Sequence, residues 1–340
     1  MKIQLIHKYD NIISLENLLE AWKEFLRGKK KKADVQIFER NLMQNIISLH
    51  QDLKTKTYEH SEYEAFNISD PKPRNIHKAQ VRDRLLHHAI YRILYPFFDR
   101  IFIADSFSCR INKGTHKAIE RFRSFSNKVS KNNTKTVWVL KCDIRKFFAS
   151  IDHDILKQIL VEYIADRNVL WLLARVINSF HTKGKDDMGL PLGNLTSQPL
   201  VNIYMNKFDQ FVKHKLKAKY YIRYADDFVI LLENKNELEI LLPRIGAFLR
   251  AELKLELHPN KVSIKTLASG IDFLGWVNFL KHRVLRTSTK KRMLKRIKES
   301  PISETINSYL GLLKHGDTYK IKERDFKKNP VIFHIPYSRE

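Results

Sequence analysis

Apolar positions recur every three to four residues along some stretches of this chain and crowd into short runs in others, so the pattern locates helices and strands. Between Val35 and Leu53, the residues Phe38, Leu42, Ile46, Leu49 and Leu53 share one face, which predicts an amphipathic helix. DPKPR, residues 70 to 74, ends it with two prolines and opens a loop. A second helix is expected from about Val81 to Phe97, carrying Leu85, Leu86, Ile90 and Ile93. KTVWVLKCDI, residues 135 to 144, is β-branched and aromatic and reads as a strand ending at Asp143. Helical segments are expected from about His153 to Phe180, and again from Leu195 to about Leu216. The glycine-punctuated loop KGKDDMGLPLGN (183 to 194) lies between them.

YIRYADDFVIL, residues 221 to 231, sets Asp226 and Asp227 between two apolar runs, so two short strands should meet at a turn that carries both carboxylates. NKNELEILLPRIGAFLRAEL (234 to 253) predicts a helix, and strand-like pieces follow near Leu255, Val262, Phe273 and Val284. The stretch from Thr287 to Leu313 is basic and helical. Helices thus alternate irregularly with few, short strands. That order predicts an α+β fold, a small sheet backed by helices with helical extensions at both ends.

Composition narrows the class. A chain of 340 residues exceeds the usual size of one core, so two or three subdomains are expected. Lys and Arg number 62 against 37 Asp and Glu, a net charge of +25, which favours a polyanionic partner. The basic residues are spread along the chain and not gathered on one amphipathic helix, which disfavours a membrane surface. No stretch reaches the roughly 20 apolar residues of a membrane span. The charged, amphipathic start, MKIQLIHKYDNIISLENLLEAW, is unlike a signal peptide, and a cytoplasmic location is expected. Only Cys109 and Cys142 are present, too few for a disulfide framework, and no zinc-ligand spacing occurs among the 14 histidines. GKKKK, residues 28 to 32, reads as a solvated loop.

Adjacent like charges between buried flanks need a compensating cation, because burial and repulsion both oppose ionisation. Should the strand ending at Asp143 lie beside the hairpin, three carboxylates meet at one edge of the sheet. Two Mg²⁺ ions would then turn repulsion into ligation, since hard cations prefer oxygen ligands and such a pair suits phosphoryl displacement. A bare Asp-Asp pair is also a common solvated turn, so the pair alone does not decide.

YADD resembles the active-site box of reverse transcriptases, and other boxes of that family follow in order. KPRNIHKAQVRDRLLHHA (72 to 89) and SFSCRINKGTHKA (106 to 118) resemble the two fingers motifs of bacterial group II intron-like enzymes. VLKCDIRKFFASIDH (139 to 153) is similar to the first palm motif, and GLPLGNLTSQPLVNIYMNKFD (189 to 209) to the template- and nucleotide-binding motif. LELHPNKV (255 to 262) and GIDFLGW (270 to 276) resemble the last two palm boxes. Leu192 stands where most relatives have a glutamine. The resulting LGNLTSQ, with the tail SYLGLLKHGDTYK (308 to 320), resembles the enzymes of diversity-generating retroelements, which copy a template RNA into cDNA with errors concentrated at adenines.

The resemblance implies a right-hand polymerase with fingers, palm and helical thumb. Residues 1 to 70 would be an N-terminal helical extension, 71 to 135 fingers, and 136 to 182 the first part of the palm. Residues 183 to 218 would carry the template-binding loop and helix, 219 to 280 the catalytic hairpin and last palm motifs, and 281 to 340 the thumb and tail. Asp143, Asp226 and Asp227 would hold Mg²⁺, with Mn²⁺ a substitute, and the Ile144 backbone would add a carbonyl. Phe148 matches the gate against a ribose 2′-hydroxyl. Lys78, Arg84 and Arg110 are candidates for the triphosphate, each with acid pairing as its alternative. Lys261 resembles a lysine that protonates pyrophosphate, while Leu192, Gly193 and Tyr224 would shape the nucleotide and template pocket. Template RNA, the RNA/cDNA duplex, deoxynucleoside triphosphates and a small basic helical accessory protein are the implied partners. Two other readings stand beside this one: a phage-defence or domesticated reverse transcriptase, and an inactive, maturase-like RNA-binding scaffold, which the three intact aspartates disfavour.

Overall fold

The computed structural model describes residues 3–69 and 73–323. DPKPR therefore falls partly outside the described residues, as does the end of the expected thumb and tail. Four helices open the chain: α1 (Tyr9–Ile13), α2 (Leu15–Phe25), α3 (Ala33–Arg40) and α4 (Leu42–Lys54). Ser14 accepts from the Asn17 N–H at the start of α2, satisfying a donor that the first helical turn leaves free. The single helix expected from Val35 to Leu53 is two. Asn41 leaves helical geometry at φ −119°, ψ 40°, and the Asn45 side-chain amide donates to the Phe38 carbonyl near the break. Apolar spacing runs through the break unchanged, which is why periodicity does not reveal it.

β1 (Glu64–Ile68) and β2 (Arg74–Lys78) form an exposed antiparallel hairpin. α5 (Val81–Asp99) and α6 (Thr115–Val129) follow it. β3 (Trp138–Asp143) then enters the main sheet; α7 (His153–Val161), α8 (Arg167–Asn178) and α9 (Ser197–Gln210) come next. The helix expected to reach Leu216 closes at Gln210 with a π turn over Phe211–Lys215. The hairpin that carries Asp226 and Asp227 is β4 (Tyr221–Tyr224) and β5 (Asp227–Leu232), followed by α10 (Lys235–Leu253) and β6 (Ser263–Thr266). A second small sheet holds β7 (Ile271–Phe273), β8 (Trp276–Asn278) and β9 (Arg283–Leu285), and the described chain closes with α11 (Thr287–Glu299), α12 (Ser303–Leu313) and the single turn α13 (Tyr319–Ile321). The strand expected near Leu255 is only a single antiparallel bridge between Leu257 and Ile144.

The main sheet is antiparallel in the order β4-β5-β3-β6. Side chains alternate between its faces. Leu140, Cys142, Phe228 and Ile230 join a core that extends to the N-terminal helices. Val139, Val229 and Leu231 pack with Phe122 and Phe125 of α6 and Phe273 of β7. Among the described residues, 3–69 share the larger core with α5 and the main sheet and form no separate one. Cys109 is exposed and Cys142 buried, and neither is bonded to the other. Among the described residues, no helix is long and apolar enough to cross a membrane.

Candidate active site

Asp143 lies opposite Asp227 in the β3–β5 register, and Tyr224 opposite Asp227 in the β4–β5 register, which leaves Ala225 and Asp226 to make the turn. Two-residue hairpin loops need positive φ to match the strands' twist. Ala225 adopts φ +56°, a region that residues with a Cβ rarely occupy. Arg223, wholly buried, holds the turn there. Its Nη1 donates to the Ala225 carbonyl at 3.1 Å, and Nε and Nη2 each donate to Asp209 of α9 at 2.7 Å. Tyr221, on the same side of β4, donates its hydroxyl to Asp209 at 2.7 Å.

Asp143 meets Lys261, whose Nζ lies 2.9 and 3.0 Å from its two carboxylate oxygens. The backbone around it is clamped as well. The Asp143 carbonyl accepts from the His258 N–H at 2.7 Å, the Arg145 N–H donates to Glu256, and the Ile144 N–H donates to the Asp226 carbonyl at 3.2 Å. Asp227 is treated differently. Its Oδ1 is buried with no hydrogen-bond partner, and Lys141 Nζ stops 3.7 Å away because it donates instead to the Asp272 carbonyl at 2.6 Å. Burial, with repulsion from Asp143, Asp226 and Asp272, pushes the Asp227 carboxyl up to about 6 against the pull of Lys141. Burial and Asp143 also raise Asp226, against its own backbone N–H, Lys261 and Arg74.

Two raised carboxyls, Asp226 and Asp227, the second with an orphaned buried oxygen, are an oxygen donor set that fits a hard divalent cation. Among the described residues, no three His, Cys, Asp or Glu side chains close around one point as a ready-made cage. That departs from a simple convergence of three carboxylates. It agrees with the habit of Mg²⁺, which takes one or two protein carboxylates and completes its shell with water and substrate phosphates.

The other expected residues divide. Phe148 sits in a 3₁₀ turn, Phe147–Ser150, half-buried and edge-on to Phe147, and its carbonyl accepts from the Leu190 N–H at 2.8 Å. The Leu192 carbonyl accepts from the His77 N–H of β2 at 3.0 Å. Gly193, at φ +108°, lies so close to β2 that a Cβ would come within 2.8 Å of Ile76. Asn194 completes the link, donating to the His77 carbonyl and accepting from the Ala79 N–H. The Tyr224 hydroxyl accepts from Thr115 at 3.2 Å.

Lys78 and Arg84 both turn to Asp34 of α3, at 2.9 and 2.5 Å, and Lys78 also reaches Glu64. Arg110 takes the acid-pairing alternative. Buried, it donates to Asp99 and to the carbonyls of Ile103, Ser106 and Asp99, so its guanidinium holds a loop and is not available to a triphosphate in this arrangement. Asp209, Arg223, Lys141, Asp34 and Arg74 are missing from the sequence expectation. Lys141 was open to discovery, since it precedes Asp143 by two and shares its face of β3. An arginine on an otherwise apolar strand, as in YIRYADD, likewise demands a buried acid.

A small antiparallel sheet with aspartates at the ends of its central strands, flanked by helices and a fingers hairpin, is the palm of a right-hand polymerase. Residues 68–277 match the family model described as reverse transcriptase (RNA-dependent DNA polymerase), and the chain belongs to that family. Protein YkfC of Escherichia coli (strain K12) is 24% identical over 65% of this chain and 66% of its own length. The group II intron-encoded protein LtrA of Lactococcus lactis is 23% identical over 73% of this chain and 51% of its own. A putative COX1/OXI3 intron 2 protein of Saccharomyces cerevisiae is 21% identical over 67% of this chain and 33% of its own. The chain thus spans between a third and two thirds of these relatives. Among solved structures, apo telomerase from Candida tropicalis, truncated from its C-terminal domain, shares the fold with a TM-score of 0.50 at 14% identity, over 72% of this chain and 60% of that one.

Proposed function

We propose that this chain extends a primer 3′ end with deoxynucleotides on an RNA template, as the error-prone polymerase of a diversity-generating retroelement. The register of Asp143 opposite Asp227, with Asp226 in the adjoining turn, carries the polymerase reading. Mg²⁺ held by Asp143, Asp226 and Asp227, with the Ile144 carbonyl as a further donor and Mn²⁺ as a substitute, would lower the pKa of the attacking 3′-hydroxyl and stabilise the leaving pyrophosphate. Lys261 neutralises Asp143 in the resting site and is the candidate to hand a proton to pyrophosphate. Phe148 supplies bulk against a ribose 2′-hydroxyl. Lys78 and Arg84 would meet a triphosphate only by exchanging Asp34 for it, and Arg74, close enough to act on Asp226, adds a cation from the fingers.

The retroelement reading rests on Leu192 and the LGNLTSQ run. Backbone contacts fix this loop to β2, and Leu192 brings no hydrogen-bonding group to a position where the resemblance leads one to expect an amide. Without that amide, nucleotide discrimination should loosen. Template RNA, the RNA/cDNA duplex and a small basic helical accessory protein are the partners this reading requires.

The test is cDNA synthesis on a defined primed RNA with Mg²⁺ and four deoxynucleotides, followed by sequencing, with Asp226→Ala and Leu192→Gln beside the wild type. Errors concentrated at template adenines, reduced in Leu192→Gln and absent with all product in Asp226→Ala, are expected. Faithful wild-type product would overturn the retroelement reading and favour a defence or domesticated enzyme. Silence from the wild type, even with its genomic neighbours co-expressed, would overturn the polymerase and leave an RNA-binding scaffold.

A further inference from the structure

The motif SYLGLLKHGDTYK has no place in the polymerase chemistry, yet it builds something definite. Gly316 lies flat on Trp276, where a Cβ would come within 2.0 Å of the ring. The His315 carbonyl accepts from Arg283 Nε, the Asp317 N–H donates to the Arg283 carbonyl at 2.8 Å, and the Thr318 hydroxyl donates to the Leu313 carbonyl at 2.6 Å. The His315 ring stacks on His116 of α6 with centroids 3.6 Å apart. These interactions frame an open hollow of about 260 Å³ between α6, the β8–β9 turn and the end of α12. Arg123, Lys281, His282, Arg283 and Lys314 line it, with Asp317. A second hollow shares Arg123 and Arg283 and continues along α6 past Lys128 and Asn132. Neither shares a lining residue with the hollow at the catalytic carboxylates.

Five Lys and Arg side chains line the joined hollows against two acids, Glu120 and Asp317. Arg283 Nη1 is buried without a hydrogen-bond partner, a state that native proteins rarely leave unanswered. Burial and the neighbouring Arg123 both oppose the charge on Arg283, with Glu120 a partial offset. Among the described residues, Arg123, Lys281 and Lys314 enter no ion pair, whereas Lys78, Arg84 and Arg110 of the fingers each hold an acid.

We infer that the joined hollows bind the backbone phosphates of an RNA strand running outside the catalytic cleft. The guanidinium groups of Arg123 and Arg283 match phosphate oxygens. Two connected hollows exceed the needs of a single free anion, and the stacked pair of Phe279 and His282, with centroids 4.8 Å apart, offers a face on which a base can rest. The inference goes beyond the polymerase reading and leans on it only in that the chain handles RNA.

The test is the double variant Arg123→Gln/Lys281→Gln, which changes two exposed side chains. Binding of a labelled single-stranded RNA, too long for the cleft alone, is measured across salt concentrations, beside extension of a short primed duplex and a thermal melt. The salt slope should fall by about 1.4, at roughly 0.7 for each single-strand phosphate that the variant no longer neutralises, and affinity roughly tenfold, with extension and melting unchanged. Unaltered RNA affinity and slope would overturn the inference. So would loss of short-duplex extension, which would place the hollows in the catalytic path. Loss of inorganic phosphate or deoxynucleotide binding with RNA binding intact would make this a free-anion site and also overturn it. A wild type that extends nothing, yet binds RNA more tightly than the double variant, would count against the polymerase reading alone.

Discussion

Asp209 and Asp227 are both drawn out of water by the same hairpin, but only Asp209 receives a full partner. Arg223 grips its two oxygens at 2.7 Å each, and Tyr221 adds a third donor. Asp227 has a lysine 3.7 Å away that is bonded elsewhere, and one oxygen with nothing. A carboxylate that accepts three donors and is neutralised by a buried guanidinium has little left to offer a cation, so it holds shape. An unsaturated one destabilises the empty fold and keeps its lone pairs for a cation. The pair beneath the turn fixes the geometry that the carboxylates above it need.

Several substitutions would break or sharpen that contrast. The largest effect should come from Asp226→Ala, which should lower primer extension by about 10³-fold or more, the scale of removing a group that stabilises the developing transition-state charge, with a melt close to wild type. Arg223→Met should do the reverse in kind. Leaving Asp209 buried and unpaired should cost about 3–5 kcal/mol of stability by chemical denaturation, and activity should fall because the Ala225 turn loses its anchor. A melt unchanged in Arg223→Met would dissolve the comparison.

Next in size is the dependence on pH. A carboxyl whose folded pKa stands near 6, above its unfolded value, penalises the fold when ionised. The penalty is present above about pH 6 and fades as pH falls toward the unfolded pKa. Metal-free wild type should therefore gain on the order of 2 kcal/mol relative to Asp227→Asn between pH 7.5 and 4, measured by denaturation of both proteins at each pH. Parallel stability curves would show that Asp227 is not strained. The smallest effect should be that of Lys141→Met, which removes the charge pulling the Asp227 pKa down. Its Mg²⁺ requirement for half-maximal extension should rise more steeply than that of wild type as pH drops from 8 to 6, because ligands must be deprotonated to bind.

The legible parts of the molecule are those where burial writes a pattern. β3, β5, α5 and α10 fall where Leu140, Phe228, Leu85 and Leu249 announce them, and the Asp143–Asp227 pairing follows from strands that end in acids. The β1–β2 hairpin escapes because most of its residues are exposed, so no alternation records it. α6 carries the spacing Ala118, Phe122, Phe125, Val129, but its serines and basic residues dilute the signal. In the site, Asp143, Asp226 and Asp227 are readable as types in a context. The partners of Lys78, Arg84 and Arg110 are not: Asp34 lies far from the site motifs in sequence, and Asp99, though only eleven residues from Arg110, ends a helix whose return toward the Arg110 loop no local pattern records.

The order of strands in the main sheet also sets a schedule for the growing polypeptide. β3 lies between β5 and β6, both of which are synthesised after it. Asp143 leaves the ribosome 83 residues before Asp226, a wait of roughly 4 to 17 s at about 5–20 residues per second. Through that interval the apolar WVLKCD segment has neither of its neighbours. The yield of folded protein should therefore respond to the pace of synthesis between β3 and β6, an influence that the finished sheet does not display.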